Sequence, residues 1–403
     1  MVLGAIGGII AGVLIGVMQA QKATNLSTVI VPAFSRFGGN FDMKFGYSIA
    51  VSQNLIAVGA PNTDQGSGIV IVYRYLSSPP YYEEVGTYQA PIVGPLGFGH
   101  KVFMDVFGLM LIAQTLSNSL FIQAIAQGNG NRELVGFRDF AANNDGTLLV
   151  AVMSNGTGVA TYSRSNSAVP VDFNHQTNLA TPISSCTTVA INENGQDGFF
   201  MALGCPDADN GLGRVYLYQL DFVSYTWNPL SGGNNMITLA DTPAFFVSSN
   251  SLGDYMSFSS KGEYLHLSIA GAQTCYRVAF ERNSTSAYSR VNNFNTHIVA
   301  NPLDLTGNST GCLIDARRFP ANGSSSSVLI GAPGNAVLKS RVDTLDLRTM
   351  GRLNTEFDSG ATCSGFAFGW STSPENFFVE SDPCYGSNIG RIIIHAHYSV
   401  LNE

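Results

Sequence analysis

A set of short apolar strands that returns about seven times predicts an all-β chain. The fold class is a seven-bladed β-propeller preceded by a hydrophobic, glycine-striped N-terminal helix. Three observations carry this expectation. The clearest copy runs Phe45-Gly46-Tyr47-Ser48-Ile49-Ala50-Val51, then Leu55-Ile56-Ala57-Val58-Gly59-Ala60-Pro61, then a polar turn, then Gly68-Ile69-Val70-Ile71-Val72-Tyr73. A single sheet of this kind leaves its apolar faces open, so copies have to stack. A stack keeps exposed edges unless it closes into a ring, and the chain carries a closing strand. Leu26–Val31 precedes the first complete copy, and the seventh copy stops after its third strand at 390–398. Finally, 43 glycines and only 12% charged residues suit many tight turns around a large apolar interior.

Residues 1–20 read as a hydrophobic membrane anchor or signal segment, 21–36 as a linker and ring-closing strand, and 37–403 as the propeller. Residues 2–18 carry no charge, and as a helix they would reach about 25 Å, the short end of a bilayer span. Gly4, Gly8, Gly12 and Gly16 would form one smooth stripe that lets a second helix approach closely. A water-soluble helix would lose about 1 kcal/mol at each of these glycines. A retained anchor, a cleaved signal peptide and a buried or fusion-peptide-like segment all remain open. Against cleavage, no Lys or Arg precedes the apolar run, and Met18-Gln19-Ala20 is a poor cleavage site.

The later copies are read in order. The second has Phe98-Gly99 with strands at Phe107–Ala113 and Leu120–Ala126, and the third has Thr147–Val152 and Val159–Tyr162. The fourth runs Thr187–Ile191, Phe199–Pro206 and Gly213–Tyr218, close to the first in pattern. The fifth holds Leu252-Gly253-Asp254-Tyr255, Tyr264–Gly271 and Cys275–Phe280. The sixth contains Val328–Pro333, and the seventh ends with Gly390–Tyr398.

Phe45-Gly46 with Gly59-Ala60-Pro61 resembles the FG-GAP repeats of integrin-alpha-type seven-bladed propellers. The match is good at 45–73 and 199–218, with a third Gly-Ala-Pro at 331–333, and it is degenerate elsewhere. The resemblance implies a shape rather than a reaction. It also implies calcium loops between the first and second strands, and this chain departs from their DxDxDGxxD pattern. Asn143 and Asp145 in one loop, and Asn192, Asn194 and Asp197 in another, are the only weak metal candidates, and ordinary Asn/Asp/Gly turns explain both loops. Calcium is the one cofactor such loops would take; otherwise none is expected.

Six cysteines, Cys186, Cys205, Cys275, Cys312, Cys363 and Cys384, include no CxxC pair. Cys186 with Cys205 and Cys363 with Cys384 are placed for local disulfides, which leaves Cys275 and Cys312 to join neighbouring repeats. That arrangement points to an oxidising compartment, with free buried thiols as the alternative. Sequons at Asn25, Asn155, Asn283, Asn308 and Asn322 are glycosylation candidates in a secretory route.

Chemistry-bearing motifs are sparse. No GxSxG, P-loop or HExxH occurs. His395 and His397 share one face of a predicted strand, where a structural pair is the simpler reading than a metal site. Asp207, Asp209 and Asn210 form a polar loop that reads as a turn or a ligand contact; Asp382-Pro383 reads the same way, and Arg317-Arg318 is too short for an anion patch. The net charge of −8 and the absence of basic runs exclude nucleic acid as a partner. The expectation is a non-enzymatic surface or structural protein of a membrane-associated assembly, at a virion or cell surface. Its partners would be proteins, neighbouring copies among them, and the membrane through residues 2–18. The alternatives are a secreted or anchored adhesion or ligand-binding module and, less favoured, a glycan-acting enzyme.

Overall fold

The computed structural model describes residues 27–32, 43–76, 81–92, 94–125, 131–164, 171–182, 186–193, 195–230, 235–241, 251–259, 261–270 and 275–282. Beyond 287 it describes the strands together with Ala367 and Gly390. The chain is mostly β-strand, arranged in discrete antiparallel sheets.

Strand β1 (Ser27–Pro32) stands apart in sequence from the sheet it joins. The first sheet is β2 (Ser48–Ser52), β3 (Leu55–Ala60), β4 (Ile69–Tyr75) and β5 (Tyr82–Tyr88). The second is β6 (Lys101–Met104), β7 (Met110–Gln114), β8 (Ser119–Ala124) and β9 (Asn131–Val135). The third is β10 (Phe137–Ala142), β11 (Leu148–Met153), β12 (Gly158–Ser163) and β13 (Asn174–Ala180). The fourth is β14 (Thr188–Ile191), β15 (Phe200–Cys205), β16 (Arg214–Asp221) and β17 (Thr226–Pro229), with β18 (Met236–Thr238) also paired to β16. The fifth is β19 (Ser251–Phe258), β20 (Tyr264–Ala270), β21 (Cys275–Arg282) and β22 (Tyr288–Arg290), with β23 (His297–Ile298) also on β21. The sixth is β24 (Leu313–Arg317), β25 (Ser327–Gly331), β26 (Arg341–Asp346) and β27 (Arg352–Phe357). The last is β28 (Phe368–Trp370), β29 (Phe377–Asp382) and β30 (Arg391–Ala396), and β1 pairs antiparallel with β30 from Ser27 opposite Ala396 to Pro32 opposite Arg391.

Strand periodicity explains the core. Alternate residues of a strand face opposite sides of its sheet. In β3 and β4, Ile56, Val58, Ile69 and Ile71 pack with Phe377, Val379, Ile392 and Ile394 of the last sheet. Ala57, Val70 and Val72 pack the other way, against Phe98, Val102, Met104 and Leu111 of the second. The same two-sided burial continues between the second and third, third and fourth, and fourth and fifth sheets. Strand β24 adjoins both β19 and β28. Outer strands such as β5 and β13 are mostly exposed or half-exposed and polar.

The predicted strand at 107–113 starts late. Gly108 takes φ +65° and Asp105 accepts hydrogen bonds from the Leu109 and Met110 amides at 2.8 and 2.9 Å. That side-chain turn holds residues 105–109 out of the ladder, so β7 begins at Met110.

The membrane expectations require correction. Among the described residues no helix is long and apolar enough to cross a membrane, which corrects the expectation of a membrane partner through residues 2–18 and of a membrane-associated location. Gly4, Gly8, Gly12 and Gly16, and with them the N-terminal helix, lie outside the described residues.

Candidate site at the mouth of the inner strands

The Phe-Gly and Gly-Ala-Pro residues meet at the joints between sheets. Ser48 Oγ, at the start of β2, donates to the Gly99 carbonyl at 2.7 Å. Thr188 Oγ1, at the start of β14, donates to the Gly253 carbonyl at 2.5 Å. Gly59 and Gly204 sit under those same carbonyls, where a Cβ would collide with them. Gly68 and Gly213 form parallel bridges to Phe98 and Leu252, and Gly390 does so to Phe45. After Gly59 and Gly204 the chain makes the same turn twice. Asp64 and Gln65, like Asp209 and Asn210, take positive φ between 51° and 60°, a conformation in which Asn and Asp are enriched.

The residue following each such Phe-Gly or Leu-Gly lies at or near the start of an inner strand. These are Tyr47, His100 and Asp254. The Tyr47 and His100 rings lie 4.9 Å apart at 33°, and Lys44 Nζ stands 5.9 Å from the Tyr47 centroid. Burial lowers the His100 pKa, Lys101 and Lys44 lower it further, and Asp139 opposes them. Burial raises the pKa of Asp254, and nearby Asp207 adds to the rise. Tyr255 is raised by burial, then by Asp254 and Tyr47. These groups therefore share one electrostatic neighbourhood, drawn from the first, second, fourth and fifth sheets.

Two register shifts shape this mouth. One falls between Leu252 and Tyr255 in β19, and one between Phe137 and Asp139 in β10. A bulge re-aims the side chains that follow it. Asp139 thereby reaches Lys101 Nζ at 2.5 Å through Oδ1 and the Val189 amide at 2.8 Å through Oδ2. Lys101 also donates to the Phe140 carbonyl at 2.7 Å and lies 5.1 Å from its ring centroid. Below Lys101 a cavity of about 240 Å³ runs between β6, β10, β14 and β19 toward Asn144 and Glu193, past Phe103, Met256 and Phe258.

The predicted metal candidates serve turns. Asn143 Oδ1 accepts from the Leu148 amide at 2.8 Å, which turns its Nδ2 toward Asp145 Oδ1 at 2.7 Å. Asp145 Oδ1 also accepts from the Thr147 amide and hydroxyl at 3.0 and 2.6 Å. A donor thus stands where a hard cation needs an oxygen, so calcium does not fit this loop as folded. Asn192 bridges the Phe200 amide at 2.7 Å and the Gly198 carbonyl at 3.0 Å, and Asp197 faces Arg282 Nη2 at 3.4 Å. Asn194 lies outside the described residues. Among the described residues no group of three or more His, Cys, Asp or Glu is placed to hold a metal. The backbones of these hairpins interlock instead: the Val106 amide donates to the Asn144 carbonyl at 2.7 Å, and the Asn144 amide to the Glu193 carbonyl at 3.0 Å.

Cys186 and Cys205 form a disulfide across the start of the fourth sheet. Cys275 begins β21, while Cys312, Cys363 and Cys384 lie outside the described residues. Asn155 is exposed in the turn between β11 and β12, its Oδ1 accepting from the Thr157 amide and hydroxyl at 3.0 and 2.8 Å. Asn25, Asn283, Asn308 and Asn322 lie outside the described residues, as does His397. His395 lies in β30 opposite Thr28, Arg317 ends β24 and Asp382 ends β29. Asp209 pairs with Arg214, while the charge of Asp207 adds to the raised pKa of Asp254.

Sequence reading missed Lys101, Asp139, Asp105 and Arg164. The Arg164 side chain is fully buried and lies 3.8 Å from Asp105 Oδ2, with its Nη2 on the Asp145 carbonyl at 2.9 Å. The one available signal was an Asp and an Arg beside apolar strand sequence, which does not say that they meet. No protein-family model matches the chain, and no curated protein matches it at a significant level.

Proposed function

We propose that this chain is a closed seven-bladed propeller with FG-GAP-like joints, and that it works as a non-enzymatic binding module. The pairing of β1 with β30 supports the ring, because the first strand in sequence completes the last sheet. The shared core of the first and last sheets supports it too. Closure covers the faces of the sheets and leaves only short outer edge strands such as β5 and β13, so recognition falls to side chains and loops at the ends of the strands. The mouth of Tyr47, His100, Asp254 and Tyr255 is the observation that carries binding over a purely structural role. It brings the Tyr47 and His100 rings of two sheets into contact and sets Tyr255 within electrostatic reach of Tyr47.

Thermal-shift screening of the whole chain against a small-molecule library, followed by NMR of each hit over hours, tests the reading. A ligand that binds only the folded state raises Tm. Hits that stay chemically unchanged are the expected result. Product signals would return the chain to the enzyme class, and a screen without hits would favour a structural role among neighbouring copies.

A further inference from the structure

We propose that Asn155, in the turn joining β11 to β12, carries an N-linked oligosaccharide. The inference stands apart from the binding-module reading. Asn155-Gly156-Thr157 is an acceptor tripeptide, and it forms the tip of the turn. Ser154, Asn155 and Thr157 are exposed, while Gly156 between them is buried. A branched sugar needs such a place, where it projects into solvent from a firm base.

The backbone supplies the base. The Ser154 amide donates to the Gly136 carbonyl at 2.7 Å and the Gly156 amide to the Met153 carbonyl at 2.8 Å. From the end of β13, Thr181 donates through its hydroxyl to the Gly156 carbonyl at 2.7 Å and through its amide to the Thr157 carbonyl at 3.1 Å. The Asn155 side chain divides its two atoms between two tasks. Its Oδ1 accepts from the Thr157 amide and hydroxyl at 3.0 and 2.8 Å, closing an Asx turn. Its Nδ2 donates to no protein group among the described residues. A sugar on Nδ2 therefore displaces only water and leaves each of these hydrogen bonds in place.

A second, independent observation concerns the compartment. Cys186 and Cys205 are fully buried and joined as a disulfide, which points to an oxidising route. The secretory lumen is such a route, and there an acceptor tripeptide meets its donor, an oligosaccharide on a polyprenyl diphosphate. In the transfer, Asn155 Nδ2 bonds to the anomeric carbon of the first sugar. The bond from that carbon to the diphosphate oxygen breaks, and the lipid diphosphate leaves with the proton that Nδ2 loses. The donor reaches the chain before it folds, and the finished turn then holds the product outside the core.

The test is tryptic mapping by mass spectrometry of the full chain isolated from the cells that produce it. Asn155 falls in the peptide 139–164, which holds no other acceptor tripeptide. The readout is the intact glycopeptide, because an Asn-Gly pair also converts to Asp spontaneously and would mimic enzymatic glycan release. The expected result is a hexose- and N-acetylhexosamine-bearing peptide 139–164 in the wild type and in Thr157→Ser, reduced to the bare mass in Asn155→Asp. Asp still offers Thr157 its acceptor, so this variant folds and separates loss of the glycan from loss of the turn. Asn155→Ala loses both and has the lower Tm of the two. A bare peptide 139–164 in the wild type overturns the proposal. A mass increase that survives Asn155→Asp, as a sugar on the Thr157 hydroxyl would give, overturns it as well.

Discussion

The joint between the first and second sheets and the joint between the second and third do the same mechanical work with different chemistry. At the first joint, and again between the fourth and fifth sheets, backbone meets backbone under a Gly Cα and a Ser or Thr hydroxyl spans the gap. Between the second and third sheets long charged side chains replace that device. Lys101 reaches Asp139, and buried Arg164 reaches Asp105. The short joint needs particular small residues at particular positions, so it repeats visibly in sequence. The charged joint needs only two partners that meet in space, and any of several residues can supply them.

Breaking the charged joint has the largest expected effect. Asp105→Ala leaves the Arg164 charge buried and unpaired, and should cost about 3–5 kcal/mol by denaturant unfolding. Adding Arg164→Met to Asp105→Ala should recover only part of that loss, because the unpaired buried charge is gone while the Leu109 and Met110 amides that Asp105 accepted stay without a partner. A double variant as unstable as the single one would refute this account of the joint.

Gly59→Val and Gly204→Val probe the short joint. Each new side chain meets a carbonyl of the neighbouring sheet, and the expected loss is about 3 kcal/mol. Equal losses at the two sites, read from urea midpoints, would show that the two joints are equivalent. A loss at one alone would mean that only one copy is tightly closed.

The hydroxyl bridges are smaller. Ser48→Ala and Thr188→Val should each cost about 1 kcal/mol, the usual net value of such a hydrogen bond. Their effects should add within about 0.5 kcal/mol, since the joints share no partner.

The smallest effect is a pH dependence. The folded-state pKa of His100 lies below its ordinary 6.5, chiefly through burial. The unfolded chain therefore binds more protons in the window between the lowered value and 6.5, so stability rises with pH across it and falls on acidification. His100→Gln should flatten the Tm-against-pH curve in that window. An unchanged curve would mean that another group sets the acid limb.

Residue patterns alone marked the all-β class and several of the inner strands. Period-two alternation and the Phe-Gly and Gly-Ala-Pro pairs depend on local sterics, so β2–β4, β14–β16 and the β1–β30 pairing were legible from the chain. The Cys186–Cys205 bond was legible too, because both residues flank strands of one sheet. The start of β7 was not, because it turns on where the Asp105 carboxylate points. The mouth was not either: Tyr47 and His100 are separated by a long stretch of sequence and their rings meet only when their sheets stack. Local rules act over a few residues and are written in the order of the chain. The site depends on which distant inner strands come to share one end, and only tertiary packing decides that.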